Sequence, residues 1–139
     1  LAYQDDPFDV VFLDAPCSAT GTIRRHPDLP YVKTQSSIKE LVALQRNLLN
    51  RTTSLLKPGG TLIYCTCSLL PEEGEGQIKK LLAENDAFEI HRADFPGMEP
   101  AWRCAEGGVR LRPDYWPDKG GMDGFYCAAL QFKGGSSPV

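Results

Sequence analysis

Two short apolar runs, each broken at its end by a polar turn that carries a cysteine, fix most of what this chain can become. Phe8-Asp9-Val10-Val11-Phe12-Leu13 stops at Asp14-Ala15-Pro16-Cys17-Ser18, and Thr61-Leu62-Ile63-Tyr64-Cys65 runs into Thr66-Cys67-Ser68. Runs of this length and composition fit strands buried on both faces. Between them Ile38, Leu41, Leu44, Leu48, Leu49, Leu55 and Leu56 recur at helical spacing. Ser37-x-x-Glu40 reads as a capping box that opens this helix, and Lys57-Pro58-Gly59-Gly60 reads as its stop. Strand, helix and strand in that order give parallel strands joined by a crossover.

The pattern continues downstream. Pro71-Glu72-Glu73 has the proline and acids of a helix first turn, and the helix would run through Ile78, Leu81 and Leu82. Gly74 and Gly76 fall inside it, each costing about 1 kcal/mol relative to alanine. Ala87 to His91 reads as a third strand. Residues 92 to 108, with Pro96, Pro100 and several glycines, read as irregular surface. Val109-Arg110-Leu111 and Phe125 to Phe132 are expected to pair as a terminal hairpin across Gly120-Gly121. The expected class is therefore α/β, with a mostly parallel sheet and a terminal antiparallel hairpin. One domain would span residues 1 to 133, with residues 134 to 139 as a disordered tail.

Composition narrows the function classes. The 139 residues are 42% hydrophobic and 24% charged, which suits one ordinary globular domain. No apolar run approaches a membrane span and nothing reads as a signal peptide, so a cytoplasmic protein without membrane contact is expected. Leu1 in place of a methionine suggests that the natural N-terminus lies upstream. The net charge of −3 gives nucleic-acid binding no support by itself. Five cysteines fit a reducing compartment, and their odd number argues against a purely disulfide framework. With no C-x-x-C pair, and only His26 and His91 to complete a site, no metal centre is expected.

Ligands of open α/β sheets collect beyond the carboxyl ends of the strands. Cys17 and Cys67 each follow such an end. Neighbouring strands lie about 4.8 Å apart, so Asp14, Cys17 and Cys67 would crowd one crevice. A carboxyl group and two thiols there make a candidate for covalent catalysis. The blander reading treats each cysteine as a small buried hydrophobe, as for Cys65, Cys104 and Cys127, and Asp14 as a turn residue. The residues alone leave the two readings level.

The literal strings tip the balance. Asp14-Ala15-Pro16-Cys17-Ser18-Ala19-Thr20-Gly21 and Tyr64-Cys65-Thr66-Cys67-Ser68 closely resemble two signature motifs of the Sun-type RNA cytosine-C5 methyltransferases. Arg24-Arg25-His26-Pro27-Asp28, Lys57-Pro58-Gly59-Gly60, Pro71-Glu72-Glu73 and Gly121-Met122-Asp123-Gly124-Phe125-Tyr126 extend the likeness over nearly the whole chain apart from residues 92 to 107. Within the family it is nearest to the bacterial members that act on small-subunit ribosomal RNA. The resemblance implies the C-terminal half of a Rossmann-like class I methyltransferase fold, with S-adenosylmethionine as methyl donor and RNA as substrate. It also implies Cys67 as the nucleophile, Cys17 in product release, and Asp14 at the cytosine edge and, with Pro16, beside the cofactor.

Cys67 would need its pKa lowered by a positive neighbour or a helix terminus. The target base would have to be single-stranded or flipped out of a duplex. Arg24, Arg25, His26 and Lys33 follow the first motif, where they are read as phosphate contacts at the rim. Phe125 and Tyr126 read as core residues of the last strand.

The chain has no glycine-rich loop of the kind that would hold the cofactor, since Gly59-Gly60, Gly107-Gly108 and Gly120-Gly121 sit at stops or turns. It is therefore expected to be inactive alone. Its first strand would lose a sheet neighbour and favour self-association through residues 8 to 13. Two other readings stay open. One is a DNA cytosine-C5 methyltransferase, in which the cysteine of Pro16-Cys17 would attack. The other is a catalytically inactive RNA-binding or assembly module.

Overall fold

The computed structural model describes residues 7–22, 25–27, 35–92 and 96–134. Five strands form one sheet: β1 (Phe8–Asp14), β2 (Leu56–Thr66), β3 (Phe88–Ile90), β4 (Val109–Leu111) and β5 (Phe125–Phe132). The order is β1-β2-β5-β3, with β4 also paired to β5. The β1–β2 ladder is parallel, and those joining β5 to β2, β3 and β4 are antiparallel. Four strands thus share one direction and β5 alone opposes them. The expected α/β architecture and the β4–β5 pairing are both present, in a mixed sheet whose β1–β2 ladder alone is parallel among the described residues.

Helix α1 (Gln35–Leu55) makes the crossover from β1 to β2, and α2 (Glu75–Glu84) follows β2. Two expected boundaries move. Ser37 lies inside α1, which already runs from Gln35, so it is not an N-cap residue. The helix ends at Leu55, before Lys57-Pro58-Gly59-Gly60, and those four residues belong to an irregular stretch of β2. Phe8 pairs Leu56 while Val10 pairs Thr61, so β2 takes extra residues there against β1. Gly59 adopts φ +84° at that excursion, a conformation that favours glycine. The second helix is also split. Pro71–Glu73 forms a single 3-10 turn and α2 starts at Glu75, with the interruption at Gly74.

One face of the sheet carries the core. Leu62, Tyr64, Tyr126, Ala128, Leu130 and Phe132 alternate along β2 and β5 and are buried with Leu49 of α1 and Ile78 and Leu81 of α2. Strand β1 lies at the sheet edge, where Val11 and Leu13 pack against that core. Phe8, Val10 and Phe12 alternate with them and are exposed, Phe12 by 61%. The reading of this strand as buried on both faces is therefore corrected: its burial has a period of two. Residues 96 to 108 hold more order than an irregular surface would. Trp102 is buried on a 3-10 turn, stacked against Tyr115 and edge-on to Trp116. No described helix is long and apolar enough to cross a membrane.

Candidate active site

The carboxyl ends of β1 and β2 meet in register, with Asp14 opposite Cys65. Ala15 continues the ladder by donating its N–H to the Cys65 carbonyl at 2.9 Å. The chain then folds over the end of β2, and Gly21 donates to the Cys67 carbonyl at 2.7 Å. Between these two bonds Cys17 is carried above Cys67, and their sulfurs approach to 3.3 Å. Ala19, at φ 59°, turns its N–H onto the Cys17 sulfur at 3.3 Å. Left-handed backbone at a residue with a Cβ is uncommon and marks a constrained turn. Both cysteines are half-buried, whereas Asp14 and Pro16 are exposed. The two strand ends bring the thiols of Cys17 and Cys67 into contact.

That contact sets the electrostatics. The hydrogen bond with Cys67 is the main reason that the Cys17 pKa falls to about 6, against the opposing effect of burial. Cys67 is pushed up, first by the same hydrogen bond, then by burial and the charge of the Cys17 thiolate, with a smaller push from Asp14. Either sulfur can be the donor. The thiols therefore titrate as one unit that loses its first proton early and its second late. The expectation that a cation or helix terminus lowers the Cys67 pKa does not hold, because the dominant neighbour is the other thiol. Cys65 and Cys127 face each other across the β2–β5 ladder at the same separation, 3.3 Å.

The residues after each cysteine share an anchor that sequence reasoning missed. Glu73 is fully buried, and one carboxylate oxygen accepts from the Ser18 and Ser68 hydroxyls, both at 2.5 Å. The other oxygen accepts from the Ser18 N–H and Gln45 Nε2, both at 2.9 Å. Gln45 also donates to the Pro16 carbonyl at 2.7 Å, and Tyr64 donates to the Glu73 carbonyl at 2.6 Å. A proline followed by two acids looks the same in sequence whether the acids face solvent or core. The signal that could have separated them is the recurrence of Cys-Ser at both strand ends, which places two hydroxyls side by side.

The cation nearest the Cys67 loop is already committed. Arg110, 7% exposed, donates to the Ser68 carbonyl, pairs with Glu75 and lies over the Tyr126 ring at 5.2 Å. At the rim Arg25 pairs with Asp123 at 2.8 Å on the surface, and His26 is exposed. Arg24 and Lys33 lie outside the described residues.

Comparison with known proteins follows the same lines. The family model described as "16S rRNA methyltransferase RsmB/F" matches residues 2–131. The chain is 45% identical over 126 residues to ribosomal RNA small subunit methyltransferase B of Klebsiella pneumoniae (strain 342), covering 91% of this chain and 26% of that protein. It thus spans about a quarter of the length of the curated relatives it matches. A methyltransferase homologue of known structure from Pyrococcus horikoshii superposes with TM-score 0.69 at 33% identity, covering 91% of this chain and 39% of the other. NSun6 from Pyrococcus horikoshii, solved with SFG, gives TM-score 0.69 at 27% identity, covering 88% and 29%.

Proposed function

The chain belongs to the 16S rRNA methyltransferase RsmB/F family, and on that premise we propose that it is the catalytic portion of an enzyme that methylates C5 of a cytosine in small-subunit ribosomal RNA. The observation that carries the reading is the 3.3 Å approach of the Cys17 and Cys67 sulfurs beyond two adjacent strand ends. Cytosine C5 is a poor nucleophile while its ring is aromatic. A thiolate from Cys67 adds at C6, and the ring electrons then make C5 enamine-like. Asp14 contacts the base edge, where charge develops on addition. Once C5 carries the methyl group, a base takes the C5 proton, the C–H electrons re-form the C5–C6 double bond, and the C6–S bond breaks with its electrons returning to sulfur. Cys17, in contact with Cys67, is placed to pass a proton during this release.

S-adenosylmethionine, when bound, supplies the electrophilic methyl group. Asp14 and Pro16 fit one wall of its site, since both are exposed where β1 ends at the open edge of the sheet. Arg24, Arg25, His26 and Lys33 are proposed to meet the RNA backbone. For Arg25 this requires exchanging Asp123 for a phosphate, which a surface ion pair permits at small cost. The chain alone is proposed to be inactive.

One observation favours a second division of labour. The Cys17 sulfur accepts the Ala19 N–H at 3.3 Å, a contact that stabilises a thiolate there, as would suit attack by the Pro-Cys thiol in the DNA-type scheme. Crosslinking the protein restored to its relatives' length to RNA containing 5-azacytosine tests both, because the trapped sulfur can be located by peptide mapping. An adduct at Cys67 supports the RNA-type mechanism, one at Cys17 the alternative, and no adduct at either refutes covalent catalysis here.

A further inference from the structure

The carboxylate of Glu73 lies where no reacting atom can reach it, yet it touches both loops that carry the thiols. Its acceptor capacity divides evenly. The two hydroxyls on one oxygen come from Ser18 and Ser68, each the residue immediately after a cysteine. The two N–H groups on the other oxygen come from Ser18 and from Gln45 of α1. All four donors are neutral. Burial of a carboxylate is costly unless its lone pairs are filled, and here four donors fill them. The serine hydroxyls also lie 3.3 Å from each other, and each contacts Thr20 Oγ1 at 3.3 Å, which in turn accepts the Leu69 N–H at 2.8 Å. One side chain is thus common to the turn after β1, the turn after β2 and the crossover helix.

We infer that Glu73 is a positioning residue that clamps the Cys17 and Cys67 loops together and so creates the thiol–thiol contact. The inference rests on the reading of Cys17 and Cys67 as the reacting sulfurs, and it assigns Glu73 no contact with substrate. The geometry leaves little latitude for a replacement. Glutamine matches the shape but loses the charge, and it keeps all four contacts only by turning its N–H₂ to the serines, whose hydroxyls must then reverse from donating to accepting. Aspartate is one methylene too short to hold both serines and Gln45 at once.

The decisive experiment follows alkylation of each cysteine against pH by mass spectrometry in the full chain. It compares wild type, Glu73→Gln and the double variant Ser18→Ala/Ser68→Ala, with Cys104, which bonds the Trp102 carbonyl and not Glu73, as an internal control. In wild type the more reactive member of the Cys17–Cys67 pair should titrate well below an ordinary thiol. In Glu73→Gln its midpoint should rise by about one pH unit or more as the sulfurs separate, while the Cys104 profile and circular dichroism stay unchanged. A merely stabilising residue would lower the melting temperature and leave the native-state midpoint where it was. A folded Glu73→Gln protein with the wild-type midpoint overturns the inference. Where Glu73→Gln does not fold, the double variant decides in the same way. It removes the hydroxyl donors while leaving the carboxylate, and an unshifted midpoint overturns the clamp. The 5-azacytosine adduct is scored separately. If wild type restored to its relatives' length forms none, the proposed function fails, while the midpoints still decide the role of Glu73.

Discussion

Gly124 donates its N–H to the carbonyl of Gly21 at 2.7 Å, and a Cβ on Gly21 would stand 2.2 Å from the Gly124 carbonyl oxygen and 2.4 Å from that of Cys67. Backbone meets backbone here, so there is no side chain to yield. Gly21→Ala should lower stability by about 1–3 kcal/mol, the range for overpacking. Gly124→Ala should cost less, because the nearest atom to its added Cβ is the end of the Leu69 side chain. Urea midpoints of the two variants check the order, and equal midpoints would contradict the contact.

The cysteine roles separate cleanly in the protein restored to its relatives' length. Cys67→Ala should abolish methylation and adduct formation. Cys17→Ala should accumulate a covalent protein–RNA adduct, since addition proceeds while release stalls. Gel-shifted adduct in the Cys67 variant but not in the Cys17 variant would reverse the assignment.

Cofactor binding by the chain as given should be weak. Asp14 and Pro16 form one wall and the sequence offers no glycine-rich loop for the others. Titration calorimetry that returns a micromolar Kd for S-adenosylmethionine would sink this account of the pocket.

Among the described residues strand β1 pairs with β2 alone, and Val10 and Phe12 are exposed on it. An open apolar edge recruits another strand. Light scattering should therefore find dimers or larger species, and Val10→Lys/Phe12→Lys should shift them toward monomer. A wild-type monomer at high concentration would count against edge pairing.

Alkaline pH should destabilise the fold through two phenols. Tyr64 is pushed up by burial and then by the nearby Glu73, and Tyr126 by burial and then by its hydrogen bond to Glu106. A folded-state pKa above the unfolded value of about 10 gives a contribution that is complete below that pH and is lost as pH rises further. Melting temperature should hold to about pH 9.5 and then fall. Tyr126→Phe should start lower and fall less steeply, whereas an unchanged alkaline slope would exclude Tyr126 as a source.

What sequence could reveal was whatever repeats or stops locally. The periodicity of Leu41 to Leu56 foretold α1, and the polar turns after Leu13 and Cys65 located both thiols at strand ends. The one-sided burial of β1 was hidden, because Val10-Val11-Phe12-Leu13 is apolar at every position and carries no alternation to read. Ser37 mimicked an N-cap because serine followed three residues later by glutamate also occurs within a first turn. Trp102 lay in a stretch whose prolines and glycines masked its aromatic partners Tyr115 and Trp116. Glu73 and the Cys17–Cys67 proton coupling depend on groups some fifty residues apart, a distance no local pattern spans.

The opposed direction of β5 has a consequence for the order in which the site can come into being. Among the described residues this strand is the last, and it pairs with β3 and β4 while closing the far side of β2. Gly124, at its threshold, seals the turn above Cys67. During synthesis β1, β2 and both helices are made before residue 120, whereas β3 and β4 wait for β5, their partner in the sheet. Long-range pairing of this kind is slow to nucleate. The two thiols are therefore made before part of their final surroundings, which are complete only once β5 has joined the sheet.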